Sequence, residues 1–161
     1  MTAIQHLSAA INRWVEYLLF GLGLSMALVV AMQVFFRYVL NHSLFWSEEL
    51  ARFMLVWLSF LGASAAYKRS LHPGVDILTS RLSAPLRKAC SQLVHIVSLV
   101  LFTVMIIYGA QFAHFIRAQI SPALYLPKWA VFVIIPASGL ILAIHCLAFM
   151  ASAHKDDRRD R

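Results

Sequence analysis

The sequence predicts an all-α integral membrane protein with four transmembrane helices and both termini in the cytoplasm. Of its 161 residues, 61% are hydrophobic and 13% are charged, proportions that a soluble domain of this size does not have. Uncharged runs of roughly 20 residues recur, which is the helical length needed to cross a bilayer core of about 30 Å. Lys and Arg are concentrated in alternate connecting segments, as the orientation of membrane helices requires.

The apolar runs place the four spans at residues 17–36, 46–67, 93–115 and 130–150. Arg37 closes the first span, which lacks a small-x-small cleavage site and is therefore predicted to be a retained signal-anchor helix. The connections are short, so consecutive helices are predicted to be antiparallel neighbours. Residues 1–154 then form a single membrane domain, and residues 155–161 form a charged cytoplasmic tail.

The distribution of basic residues predicts the orientation. With the N-terminus inside, the inner segments carry ten Lys and Arg residues and the outer segments carry four. The positive-inside rule then places both termini in the cytoplasm. The net charge of +7 reflects this topology and contact with anionic membrane lipids, so it does not indicate nucleic-acid binding.

The longest connection lies between the second and third spans. Pro73 and Gly74 end the second helix. From Val75 to Leu86 the apolar residues recur at spacings of one, three and four, flanked by basic residues. This pattern predicts a short interfacial amphipathic helix, although a basic loop that only fixes the topology is an equal alternative.

A polar cluster marks the outer mouth of the first two spans. Glu48 and Arg52 are spaced i,i+4 on a helix, and Glu49 and Arg52 are spaced i,i+3, while Ser47 is placed to cap the helix N-terminus. Arg37 is a possible partner from the preceding helix. The cluster is either a solvated helix cap, a latch to another protein or part of an ion relay; we favour the latch. No acidic residue continues a relay through the core.

Small and aromatic side chains characterise the second span. Gly62 and Ala66 lie on a face of small residues, which predicts a close helix contact in lipid. We favour packing within the chain, but the spacing leaves a second protein open. Trp46 fits an interfacial aromatic belt, whereas Trp57 lies near the centre of the span and is predicted to pack or to face lipid.

Two histidines allow an alternative function. His95 and His145 are predicted at similar depth near the inner ends of the third and fourth spans, where a histidine pair could hold haem b in the membrane anchor of a respiratory complex. Interfacial histidines that bond water or carbonyl groups are more common. Cys90 and Cys146 lie toward the reducing side and lack zinc-site spacing. We therefore predict no metal and no cofactor.

No catalytic residue is predicted either. The sequence lacks G-x-S-x-G, P-loop and H-E-x-x-H motifs, so the protein is not predicted to be an enzyme. Four helices give little room for a two-fold repeat with broken midplane helices, and Pro136 in the fourth span lies nearer the outer end. These features indicate an accessory membrane subunit, with a small self-associating membrane protein as a further alternative.

Four motifs carry a resemblance to a known family. They are R-Y-x-x-N at 37–41, W-S-E-E-L-A-R at 46–52, W-L-S-F-L-G-A at 57–63 and H-P-G-V-D at 72–76. In this order they resemble the small membrane subunit (Q subunit, DctQ-type) of tripartite ATP-independent periplasmic (TRAP) transporters. Pro73 departs from the family, which often has an apolar β-branched residue after the histidine.

The resemblance implies a role in a bacterial inner membrane. In this family a periplasmic binding protein delivers an organic acid to a large multi-span subunit, which imports it with sodium, and the small subunit enlarges the fixed scaffold. The small subunit then has the large subunit as its partner and the binding protein as a transient one. By the same resemblance, Arg37, Glu48, Glu49 and Arg52 are outer-face interface or structural residues. His72 and Asp76 are structural residues of the inner turn.

Overall fold

Long helices form almost all of the described chain. A computed structural model describes residues 3–69 and 84–159. The helices are α1 (Ala3–Tyr38), α2 (Phe45–Lys68), α3 (Ala84–Phe115), the short α4 (Lys128–Phe132) and α5 (Ile134–Arg159). Four segments are long and apolar enough to cross a membrane: α1, α2, α3 from Ala89, and α4 with α5 as far as Ala151. The prediction of four spanning helices is confirmed.

The helices extend beyond the predicted spans. α1 already begins at Ala3, and α3 begins at Ala84, so the end of the predicted amphipathic segment belongs to α3. α5 continues to Arg159, within the segment assigned to the charged tail. The rest of the predicted amphipathic segment, together with His72 and Asp76, lies outside the described residues.

The last helix, α5, is the centre of the packing. It contacts α1, α2 and α3, whereas α1 packs on α2 and α5, and α3 packs mainly on α5 and α4. One buried cluster joins α1, α2 and α5 through Val15, Leu61, Ala65 and Ile134. A second joins α3 and α5 through Phe102, Leu142 and Cys146. The last helix therefore contributes to both cores.

Two glycines allow α3 and α5 to approach closely. A Cβ atom at Gly109 would lie 2.9 Å from Ile135 Cγ2 and 2.9 Å from Pro136 Cδ. A Cβ atom at Gly139 would lie 3.1 Å from Met105 Cβ and 3.2 Å from the Phe102 carbonyl oxygen. Adding a side chain at Gly109 requires the neighbouring α5 atoms to shift, and adding one at Gly139 requires its neighbours to give by a few tenths of an ångström, so glycine favours the close contact at both positions.

The fourth span is interrupted at Val133, between α4 and α5. Pro136 explains the interruption, because it has no N–H to donate to the carbonyl four residues earlier and its ring crowds that carbonyl. The Trp57 indole Nε1–H donates to the Val131 carbonyl across 3.0 Å, beside the break. Trp57 therefore packs within the chain, which confirms one of the two placements predicted for it.

Candidate subunit interface and its polar supports

The connection between α3 and α4 is a short hairpin. Within residues 119–128, which we call the connecting hairpin, Ile120 and Pro127 form an antiparallel bridge. The Ser121 N–H donates to the Leu126 carbonyl and the Lys128 N–H donates to the Gln119 carbonyl, each across 2.9 Å. These bonds give the connection a defined backbone.

Glu49 in the second turn of α2 holds this hairpin from the side. Its Oε2 atom accepts hydrogen bonds from the backbone N–H groups of Ala123 and Leu124, each across 2.9 Å. Bonds to an ionised acceptor are stronger than neutral ones, and this pair is partly buried. Glu49 is thus a structural residue that attaches α2 to the connection between α3 and α4.

The remaining polar residues at this end are arranged differently from the prediction. Arg52 Nη2 donates to Glu48 Oε1 across 3.3 Å, and both side chains are about 70% exposed. Arg37 instead lies over the Tyr38 ring, 6.0 Å from its centroid, and neither ion pair among residues 3–69 and 84–159 includes Arg37. Of the three pairings that the sequence allowed, the described residues form the Glu48–Arg52 pair, while Glu49 bonds to the loop N–H groups.

The N-terminus of α2 also differs from the prediction. Leu44 is the N-cap and makes no side-chain capping bond. Ser47 is buried and its hydroxyl donates to the Leu44 carbonyl across 2.7 Å. Ser47 is one turn inside the helix, so its predicted capping role is wrong. Trp46 is 37% exposed at the helix end, as an interfacial aromatic residue would be.

A buried polar network joins α1, α2 and α5 at the opposite end. Lys68 Nζ donates to Ser8 Oγ across 2.7 Å, and Ser8 Oγ lies 2.8 Å from His145 Nδ1. Ser8 and His145 are both fully buried. Because the ammonium group can only donate, Ser8 Oγ accepts from Lys68, and the direction of the Ser8–His145 bond depends on the tautomer of the His145 ring.

Sequence reasoning missed this Lys68–Ser8–His145 network. Lys68 contributes to the sequence-based prediction only as one of the ten basic residues that indicate the orientation, and no sequence pattern marks Ser8. The available signal was the position of Lys68, directly at the end of an uncharged run. Its ammonium group also lies 5.4 Å from the Phe149 ring centroid, so α1 supplies its hydrogen-bonding neighbour and α5 supplies an aromatic one.

The two histidines considered for haem serve helix packing. The His95 ring stacks on the Phe149 ring, with 6.4 Å between centroids. The backbone carbonyl of His95 accepts a hydrogen bond from the Cys146 thiol across 3.4 Å. His145 is bonded to Ser8 inside the bundle. Across the described residues, no three His, Cys, Asp or Glu side chains are grouped to hold a metal ion.

An open groove lies between α1 and α2, near the Lys68–Ser8–His145 network. It has a volume of about 340 Å³ and is lined by Glu16, Leu19, Gly62, Ala65, Ala66 and Arg69. Arg69 donates to Glu16 Oε1 from Nη2 across 2.8 Å and from Nε across 3.2 Å. The charged pair closes one end of a groove whose floor is made of small side chains.

The face of small residues on α2 is divided between the core and this groove. Ser64 and Ala65 are buried against the other helices. Gly62, in contrast, has no neighbouring atom within 4 Å of the position a Cβ atom would take. The favoured prediction of close packing within the chain is therefore wrong at Gly62, and the alternative of a second protein remains.

Comparisons with known proteins agree over most of the chain. Residues 26–156 match the family described as "Tripartite ATP-independent periplasmic transporters, DctQ component". The chain is 33% identical over 114 residues to the C4-dicarboxylate TRAP transporter small permease protein DctQ of Rhodobacter capsulatus, covering 69% of this chain and 48% of the relative. It is 29% identical over 110 residues to the sialic acid TRAP transporter small permease protein SiaQ of Vibrio cholerae, covering 68% and 64%.

A longer relative matches as well. The isethionate TRAP transporter permease protein DctMQ of Oleidesulfovibrio alaskensis is 26% identical over 136 residues, covering 80% of this chain and 21% of the relative. The chain spans about half the length of the Rhodobacter relative and a smaller share of this longer one.

Proposed function

Because this chain belongs to the DctQ family of TRAP transporter small permease subunits, a non-enzymatic multi-pass membrane family, we propose that it is the scaffold subunit of a sodium-coupled uptake system. Its main partner is the large multi-span permease subunit, and a periplasmic binding protein delivers an organic acid to the assembly. The family resemblance drawn from the four motifs is confirmed by the match over residues 26–156.

The observation that best supports a scaffold role is polar cross-linking at both ends of the helices. Glu49 bonds to backbone groups 74 and 75 residues away, and Ser8 contacts His145 over a separation of 137 residues. Such contacts hold distant segments in one arrangement, and polar bonds inside a low-dielectric bundle are costly to leave unmade. A transporter with a moving substrate-carrying domain needs a partner of this kind that stays fixed in the bilayer.

The partner assignment is supported by the longer relatives. DctMQ of Oleidesulfovibrio and the sialic acid TRAP transporter permease protein SiaT of Haemophilus influenzae each contain a segment similar to this chain, which covers only 21% and 16% of them. In those relatives the similar segment and the rest of the permease share one chain, which supports the permease as the partner here. The two subunits are then expected in equal numbers.

Relatives differ in the compound that their names state, including C4-dicarboxylates, sialic acid, isethionate and ectoine. The proposal therefore specifies an organic acid as the substrate class and leaves its identity to the binding protein and the large subunit. We also propose that both termini lie in the cytoplasm, on the basis of ten inner and four outer Lys and Arg residues.

Reconstitution tests the proposal. Proteoliposomes carrying the large subunit, with and without this chain, would be given binding protein and radiolabelled C4-dicarboxylate, sialic acid or isethionate under a sodium or a potassium gradient. Sodium-dependent uptake of one substrate only when both subunits are present is the expected result. Equal uptake without this chain would refute the scaffold role, and a visible haem spectrum of the purified chain would favour the respiratory alternative.

A separate experiment tests on which side of the membrane the two termini lie. Alkaline phosphatase and green fluorescent protein fused to either end report periplasmic and cytoplasmic locations respectively. Fluorescent, phosphatase-inactive fusions at both ends are expected, and phosphatase activity at either end would contradict the orientation.

A further inference from the structure

One face of α2 differs from the other exposed surfaces of the membrane-spanning helices. Its exposed residues recur every three or four positions along the helix: Glu48, Arg52, Leu55, Ser59 and Ala63. We call this set the α2 stripe. It spans 16 residues of helix, a rise of about 22 Å, which is most of the thickness of a bilayer core. Leu55 is its one large aliphatic side chain.

Most exposed side chains of α1 and α3 are large and apolar, as expected of surfaces in contact with lipid, although α1 also exposes Gly21, Ser25 and Ala27. On α1, the side chains of Leu18, Phe20, Leu24 and Leu28 are each more than half exposed. On α3 the same holds for Leu93, Val97, Val100 and Leu101. Large branched and aromatic side chains fill the space next to acyl chains, whereas small residues on a membrane helix favour close approach of another helix.

Polar groups accompany the stripe along its length. The exposed Glu48–Arg52 pair lies at one end, and the Glu16–Arg69 pair lies in the adjoining groove at the other. Between them Ser59 donates to the Leu55 carbonyl of its own helix, and Gly62 opens into the groove. Charged side chains on membrane helices seldom face lipid and usually face protein.

We infer that the α2 stripe, together with the groove beside Gly62, is the docking surface for a transmembrane helix of the large permease subunit. This inference rests on the proposed function and adds the face through which the two subunits meet. The occupant has to cross the membrane itself, because the stripe runs along most of a 24-residue spanning helix. It is expected to place small residues opposite Gly62 and polar groups opposite the two ion pairs.

The relatives with a single long chain favour this occupant over a second copy of the small subunit. In those proteins the similar segment shares its polypeptide with the rest of the permease, so that partner is always adjacent. The effective concentration of a linked partner exceeds that of a free copy. A helix of the large permease part can then occupy this face both in relatives with one long chain and in relatives with a small permease protein.

A matched pair of glycine substitutions tests the inference in the complete complex. Gly62→Leu fills the groove, whereas Gly21→Leu adds the same side chain to the lipid-like face of α1; neither position has an atom within 4 Å of its Cβ site. We expect Gly62→Leu to lower recovery of the large subunit on affinity purification by about tenfold, equivalent to about 1.4 kcal/mol. Gly21→Leu is expected to leave recovery unchanged. Equal recovery with both variants would overturn the inference.

Photo-crosslinking provides a second readout that does not depend on stability. Ser59→p-benzoylphenylalanine and Leu28→p-benzoylphenylalanine place the same probe on two exposed positions, on α2 and α1 respectively. A crosslink to the large subunit from position 59 and none from position 28 is expected. A crosslinked homodimer from position 59, or a crosslink to the large subunit from position 28 alone, would overturn the inference.

These experiments separate failure of the docking face from failure of the proposed function. If the unmodified chain does not co-purify with the large subunit, or uptake does not require it, the proposed function is refuted and the docking face with it. If the complex forms and transports, but Gly62→Leu binds normally or position 59 gives no crosslink to the large subunit, only the docking face is refuted.

Discussion

Glu49 offers the sharpest test of how the sequence maintains the fold. Its Oε2 atom accepts two backbone N–H bonds of 2.9 Å from Ala123 and Leu124, and the site is partly buried. Glu49→Ala removes the acceptor from both N–H groups, while Glu49→Gln keeps an oxygen of similar shape but removes the charge. The pair of variants therefore separates the hydrogen bonds from their electrostatic part.

The magnitude follows from typical hydrogen-bond energies. A bond to a charged group contributes about 1.5–3 kcal/mol and a neutral one about 0.5–1.5 kcal/mol. Water can reach a partly buried site, so the lower end of each range is appropriate. Glu49→Ala should then reduce the free energy of opening the connecting hairpin by about 3 kcal/mol, on the order of a hundredfold in equilibrium. Glu49→Gln should reduce it by about 2 kcal/mol, or roughly thirtyfold, because each of the two bonds becomes a neutral one.

Hydrogen–deuterium exchange in nanodiscs measures this opening directly. Peptides that include Ala123 and Leu124 should exchange faster in the order wild type, Glu49→Gln, Glu49→Ala, with the rest of α3 and α5 unchanged. Glu48→Ala is the control, because its exposed ion pair with Arg52 contributes about 0.5 kcal/mol or less. Unchanged exchange in Glu49→Ala, or an equal effect of Glu48→Ala, would refute the reasoning.

Three further substitutions probe other contacts. Ser8→Ala disconnects Lys68 from His145 and should lower unfolding free energy in detergent by about 1–2 kcal/mol, measured against Ser59→Ala, which removes only a bond within one helix. Gly109→Ala should lower the melting temperature in a thermal-shift assay, because its Cβ would lie 2.9 Å from α5 atoms. Gly62→Ala is the control and should not lower it, so similar melting temperatures for the two variants would contradict the close approach. Trp57→Phe removes the donor to the break in the fourth span and should cost about 1 kcal/mol; full stability would show that the bond is dispensable.

The four spans were predictable because apolar length is sufficient to identify a membrane helix. Gly109 and Gly139 were not recognised as contact residues, since glycine spacing says nothing about which helices meet. Glu49 was among the residues predicted to have an interface or structural role, but its partners are backbone groups of a distant loop, which no side-chain pattern reveals. The prediction of packing within the chain at Gly62 failed for a similar reason, because a small residue indicates close approach of a helix but not whether that helix belongs to the same chain.

The central position of α5 has a consequence for the order of assembly. Helices enter the membrane as the chain is synthesised from its N-terminus, and the helix that joins both cores follows the first three spans. Until it arrives, Ser8 and Lys68 lack the His145 ring that completes their network, and α3 lacks the helix on which it mainly packs. A chain interrupted before residue 134 would therefore have α1 packed on α2, while α3 would lack its main partner. The two cores are joined only when α5 has been added.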